Sequence, residues 1–392
     1  MSVFRTITFL VMIIVSFSAC NSKEEPYEVL ITNKEAQISD MVIGIHLDSV
    51  SGSFYKIKGL TPENEYYFFN PVNLSVYLYD LTDSINEIKK RIRIPLDASI
   101  NFRNVDDIYY HSQDSIFVYD NSNEEGSNPD LFLLNGEGDI INSFKVFDLS
   151  QGDPIRIPKM NVFNGRTMIF HKGNMYFSAL PIHSTASNRS APIVKYSLAK
   201  GERSFIGEFE IKPTDPNHYV QFTMNGFFDF NPKTEMIFLS FAYDSDLYAY
   251  DIQSDEWMSL RFETDLFSRP DGISAGGEVV TYIQENTWFM YLMVDPRDNT
   301  VLRELSVPND APLPEDFDRD TMYPPPSFNQ WLFKIDPSTG DYSRIADFDL
   351  ARVRFIHPEW GPMITVQVDY EALDLDPQDY VFFSPVDFID KD

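Results

Sequence analysis

A strand pattern that returns at a fixed interval constrains this chain more than any other feature. Ile108-Tyr-Tyr-His111, Met168-Ile-Phe-His171 and Phe228-Asp-Phe-Asn231 each end an apolar strand, precede a turn and lie 60 residues apart. The stretch from Thr234 to Phe262 shows the rest of the unit: three short strands rich in aromatic and aliphatic residues, separated by polar turns. Six apolar strands end in turn residues in the same way, at Asp80, Asn135, Ser197, Asp251, Asp295 and Asp336. Asx and Ser side chains open such turns by accepting hydrogen bonds from the next backbone amides, and Gly supplies positive φ. One unit is therefore about four strands, and four-stranded units arranged radially make a β-propeller, which hides most strand edges by repetition. The expected fold is all-β: a six-bladed β-propeller of four-stranded antiparallel blades, with residues 42–392 holding six units of about 58 residues each.

Two details follow. The C-terminal strands Met363-Ile-Thr-Val-Gln-Val and Asp379-Tyr-Val-Phe-Phe-Ser have no outer partner after them, so Met41–Asp48 is expected to close the last blade as its outermost strand. In the fifth blade, Met290 to Leu305 reads either as an outer hairpin or as the inner pair, with Trp331 to Ile345 outside it. The second reading leaves six blades and makes 307–330 an insertion. That stretch holds Tyr323-Pro-Pro-Pro326 and is poor in strand formers.

The 392 residues carry 60 Asp and Glu against 31 Lys and Arg, a net charge of −29. A nucleic-acid partner is excluded on this balance, because such binding needs a basic face that displaces phosphate counterions. The acidic surface keeps the chain soluble, and a monomer is expected.

A single cysteine, Cys20, rules out an intramolecular disulfide, and its setting is informative. Arg5 is a short basic region, Ile7 to Phe17 an apolar run too short to span a bilayer, and Phe17-Ser18-Ala19-Cys20 follows. This resembles a bacterial lipobox, with Phe17 in place of the usual Leu. The resemblance implies cleavage before Cys20 and acylation of that residue, and so a membrane partner through its acyl chains. Residues 1–19 are then a signal peptide, 20–40 the acylated cysteine and a flexible tether, and 41–392 the propeller. Asn21-Ser22-Lys23-Glu24-Glu25 resembles the signal that exports some lipoproteins to the outer face of the outer membrane.

Lipobox, acidic tether, N-terminal strand and six diverged units together resemble the TolB-like six-bladed propeller lipoproteins, which include bacterial families of unassigned function. The resemblance covers nearly all of the mature chain and rests on architecture. It implies a non-catalytic binding or scaffold role in the cell envelope, with a protein, peptide or glycan as partner, and it supplies no catalytic residues or cofactors. The alternative is a hydrolase or lyase acting at the axial mouth of the propeller.

Gly272-Ile-Ser-Ala-Gly276 matches a nucleophile elbow, but that chemistry needs a strand–turn–helix and a following α/β sheet, whereas strands and loops follow here. Asp316, Asp318 and Asp320 alternate like the first ligands of a calcium loop, yet Thr321 stands where the loop needs Gly. His111 and His171 occupy equivalent turn positions, which points to a repeat role. His357, Glu359 and Trp360 lie in a Pro-bounded loop and offer an imidazole, a carboxylate and an indole to a ligand. The competing reading is an inter-blade connection with Trp360 in the core.

Overall fold

The computed structural model describes residues 31–47, 58–82, 84–94, 105–120, 130–147, 155–156, 168–178, 180–181, 189–190, 193–207, 209–210, 226–268, 286–309, 328–346, 348 and 353–391. All regular elements among them are strands, and no helix among them is long and apolar enough to cross a membrane.

Most strands fall into antiparallel sheets of four, and two short ladders pair Ile155–Arg156 with Leu180–Pro181 and Arg189–Ser190 with Phe209–Glu210. The first contains Lys58–Leu60, Tyr66–Asn70, Ser75–Tyr79 and Lys90–Arg93, in that spatial order. The second contains Val105–Ser112, Ser115–Asp120, Leu131–Leu134 and Ile140–Phe144. The third is Met168–His171, Asn174–Ser178, Ile193–Ser197 and Glu202–Ile206, and the fourth Gly226–Asn231, Met236–Phe241, Leu247–Asp251 and Glu256–Leu260. The landmarks spaced by 60 residues thus close the first strands of three successive sheets. The turn chemistry is as the sequence demands: the Oδ1 atoms of Asn135, Asn231, Asp251 and Asp336 accept backbone N–H groups two residues on, at 2.8–3.0 Å.

A ten-stranded sheet completes the fold. Four of its strands are the meander Trp288–Asp295, Thr300–Pro308, Phe328–Ile335 and Tyr342–Ala346, so Trp288 to Leu305 is the first pair of strands, as the second reading of this region has it. The ladder runs further than the expected insertion boundaries. Val307 pairs with Asn329 and Pro308 with Phe328, so both ends of 307–330 are strand. Pro308, which has no N–H to donate to a ladder, ends its strand. Another four are Val353–His357, Gly361–Val366, Tyr380–Asp390 and Ile43–His46.

Here the N-terminal region departs from expectation in two ways. Ile43–His46 does pair with Tyr380–Phe383, but it is not an outer edge, because Gly44 and Ile45 also pair in parallel with Ile85 and Asn86. Ile31–Ile38, expected to be tether, is a strand. It runs parallel to Tyr342–Ile345 and antiparallel to Val386–Asp390, joining the two groups of strands. Its side chains alternate exposed and half-buried, so it is held by two backbone ladders rather than by an apolar face. That is why its polar sequence reads as linker.

Apolar side chains fill the spaces between sheets. Ile92 of the first packs with Ile108 and Val118 of the second, Phe117 with Phe177 of the third, and Tyr176 with Leu239 of the fourth. Phe238 packs with Phe289 and Phe333 of the ten-stranded sheet, whose Phe355, Met363 and Phe383 pack with Tyr66, Phe68 and Tyr77 of the first.

The second sheet also contains a buried acid. Asp130 accepts the N–H groups of Val146 (2.7 Å) and Phe147 (2.8 Å) and so holds the chain as it leaves the outer strand. Burial pushes its carboxyl up to about 7, against the pull of those two donors. A carboxyl raised above its ordinary value contributes stability that is complete near pH 4 and lost as pH rises through about 7. The melting-temperature gap between wild type and Asp130→Asn should therefore narrow between pH 4.5 and 8. A gap that widens with pH would contradict this account.

Candidate functional site

The segment 261–268 leaves the outer strand of the fourth sheet and crosses to the ten-stranded sheet. Phe262 anchors it. Its buried ring lies 4.9 Å from Phe333 and 4.7 Å from Tyr342, measured between centroids. The Tyr342 hydroxyl donates to the carbonyl of Glu263 at 2.7 Å, which keeps the next three side chains, Glu263, Thr264 and Asp265, at the surface. Phe267 turns back against Phe289, with centroids 5.2 Å apart. Thr264 stiffens the turn by accepting from Leu266 N–H at 3.3 Å.

Between this segment and the Tyr342–Ala346 strand lies an open cleft of ≈ 590 Å³. Arg344 forms one wall. Its Nη2 donates to Asp265 Oδ1 and, at 3.5 Å, to Thr264 Oγ1, while its guanidinium lies 5.7 Å from the Trp331 ring centroid. The Arg344 Nε is buried with no acceptor among the described residues. The hydrogen bond from Arg344 holds the Asp265 carboxyl below the usual carboxylate range. Ile31, half exposed, stands at the rim, because its strand is paired to Tyr342.

A second arginine sets the cleft floor. Arg303 is wholly buried on the second strand of its sheet. It donates to Ser240 Oγ at 2.8 Å and to the carbonyls of Phe241, Asp244 and Ser245, and its guanidinium lies 3.4 Å from the Phe289 ring centroid. Burial lowers it to about 9, opposed by the charges of Asp244 and Asp246, so it stays protonated at neutral pH. Ser245 lines the cleft, and its position is thus set by a cation held in the core.

The structure brings two of the three expected loop residues together. His357 and Trp360 stack with centroids 3.9 Å apart and planes at 17°. Nδ1 of His357 accepts the N–H groups of Glu359 and Trp360, both at 3.2 Å, so the imidazole caps its own turn. Burial lowers the histidine further from protonation, and Glu359 is exposed. Arg297 clamps the turn from the neighbouring hairpin: its Nη1 donates to the Trp360 carbonyl at 3.2 Å and to Asp387 at 3.1 Å. Gly361 is required there, since its φ is +82° and a Cβ would lie 2.0 Å from the Arg297 guanidinium. His111 and His171 share one role, each packing on the next sheet's aromatic ring, Phe170 at 4.3 Å and Phe230 at 5.1 Å. Cys20 and Asp316, Asp318 and Asp320 lie outside the described residues, and among the described residues no group of three His, Cys, Asp or Glu could hold a metal ion.

No family model and no curated protein matches the chain. Solved structures do. A member of the DUF4221 family from Bacteroides vulgatus superposes with a TM-score of 0.67 at 14% identity, over 91% of this chain and 99% of that one. A Bacteroides fragilis protein described as a candidate exported protein superposes with a TM-score of 0.52 at 10% identity, over 92% and 99%. At these identities the likeness is one of fold. The calcium-binding protein regucalcin from Agrobacterium tumefaciens matches at 10% identity over 92% and 97%, but its TM-score of 0.39 carries no argument.

The Arg303 network makes a specific demand. Arg303→Met keeps the stem and strands the buried carbonyls of Phe241 and Asp244 and the part-buried one of Ser245, which should cost about 3–5 kcal/mol. Urea unfolding monitored by tryptophan fluorescence would measure it, and a loss under 1 kcal/mol, an order-of-magnitude threshold, would show that the guanidinium is not what holds the cleft floor.

Proposed function

We propose that this chain is a six-bladed β-propeller closed by Ile43–His46, anchored to the bacterial outer membrane through acylated Cys20, and that it is a non-catalytic binding protein of the cell envelope. The observation that carries the binding role is the cleft. Arg344, Asp265, Thr264 and Ser245 converge on one open space, with Arg344 fixed on its strand and Ser245 held by the buried Arg303 network, which is the arrangement a pre-formed ligand site needs. Polar groups elsewhere serve the fold: Asp229 caps Val294 N–H at 2.9 Å, and His357 caps its own turn.

The packing of Phe355 and Phe383 against Tyr66 supports closure, because it covers the outer face of the first sheet with the last strands of the chain. The description of the Bacteroides fragilis neighbour as a candidate exported protein supports an envelope location. The lipobox-like Phe17-Ser18-Ala19-Cys20 supports the anchor, and Lys23-Glu24-Glu25 supports surface exposure. Several acyl chains give stable membrane attachment, at about 0.8 kcal/mol per buried CH₂.

Anchoring and binding are tested together. Metabolic labelling with an alkyne fatty acid should mark wild type and leave Cys20→Ala unlabelled; equal labelling would reject the anchor. Capture from native membranes with the lipidated wild type should enrich a partner that Ile31→Trp, which fills the cleft rim at a half-exposed position, no longer holds. Undiminished capture by a stably folded Ile31→Trp would move the binding surface elsewhere.

A further inference from the structure

We propose that the cleft between the 261–268 segment and the Tyr342–Ala346 strand binds a small carboxylate-bearing molecule through the Arg344 guanidinium, with Asp265 occupying the carboxylate's place when the cleft is empty. This deepens the binding reading above and rests on it.

The guanidinium is the starting point. Nε and Nη2 form one edge of the planar fork, the edge that matches both oxygens of a carboxylate. Here Asp265 reaches only Nη2 with one oxygen, the Tyr342 hydroxyl is a further side-chain partner of the guanidinium, and Nε is buried with no acceptor at hydrogen-bond geometry among the described residues. An occluded donor that makes no hydrogen bond is a standing cost, and a two-armed carboxylate would remove it. Asp265 is free to leave, since its side chain is 74% exposed, whereas that of Arg344 is only 19% exposed and is steadied by Trp331. The receptor group is rigid and its present occupant is not.

The rest of the cleft selects among anions. Asp265 is bonded to Arg344, and Glu263, ion-paired with Arg261 at 2.5 Å, lines the same cleft, so a dianionic phosphate would meet two carboxylates, while a monocarboxylate exchanges with Asp265 alone. Thr264 Oγ1 and the exposed Glu263 can bond ligand hydroxyl or amide N–H groups, and Phe267 offers an apolar wall. The volume lies within the range of small-molecule sites, about 300–1,000 Å³. A sugar acid and the free carboxylate of a peptide fragment both meet these terms.

Isothermal titration calorimetry on the full chain separates them, with glucuronate and N-acetylalanine as probes and glucose as the neutral control. At least one carboxylate should bind about tenfold or more tightly than glucose, and the tighter of the two names the source. Asp265→Asn removes the internal competitor and should strengthen that binding by about three- to tenfold, an effect no merely structural role predicts. Arg344→Lys keeps the charge but loses the fork and should weaken it by about tenfold. Equal affinity for glucose and both carboxylates, or weaker binding by a folded Asp265→Asn, overturns the proposal. Loss of partner capture by Ile31→Trp together with no carboxylate binding by wild type would keep the cleft as a binding site and reject its ligand class.

Discussion

The structure depends on sheets that are apolar on both faces. Tyr66–Asn70 and Ser75–Tyr79 are buried at every position, and successive side chains in a strand point to opposite faces. A sheet of this kind needs a neighbour on each side. The first sheet has the second on one face and, on the other, the strands that carry Phe355, Met363 and Phe383. A linear stack of such sheets would end in two bare aromatic faces, each large side chain losing about 1.5–3 kcal/mol of burial. Returning the last sheet to the first removes both ends, which is the physical case for the proposed ring.

That constraint explains what could be read without coordinates. Continuous apolar runs such as Tyr-Tyr-Phe-Phe and Met-Ile-Phe-Leu are what doubly covered strands require, and Asx turns mark their ends. The grouping of strands and the pairing of Ile43–His46 with the C-terminal strand were therefore legible. The Ile31–Ile38 strand was not. Its sequence, Ile-Thr-Asn-Lys-Glu-Ala-Gln-Ile, has few apolar residues, and its stability comes from ladders to strands far away in sequence. Burial patterns cannot reveal a strand that buries its backbone rather than its side chains.

The candidate site was legible only in part, for a similar reason. In Val301-Leu-Arg-Glu-Leu305 the adjacent Arg303 and Glu304 are both buried, and neither stands out in the sequence. Nothing local reveals that burial, because the carbonyls that receive Arg303 come from the end of Met236–Phe241 and the loop after it. Arg344 likewise acquires its role from Asp265, which reaches it from the segment between the fourth sheet and the ten-stranded one. The loop from His357 to Trp360 offered plausible ligand groups, but Pro358 and Gly361 shape a turn in which the imidazole accepts backbone N–H groups. Short-range chemistry was visible, whereas cation placement across sheets was not.

If the ends of the chain close the fold, Ile43–His46 and Tyr380–Asp390 belong to the same cooperative structure as the core strands of the first sheet. Native-state hydrogen exchange tests this most directly, because amides opened only by global unfolding share one protection level. The paired amides of Ile43, Ile45 and Phe383 should then exchange within about tenfold of those of Phe68 and Tyr77. Exchange of the N-terminal strand faster than the first sheet by orders of magnitude would show that the ends of the chain close nothing, and would contradict the proposed closure.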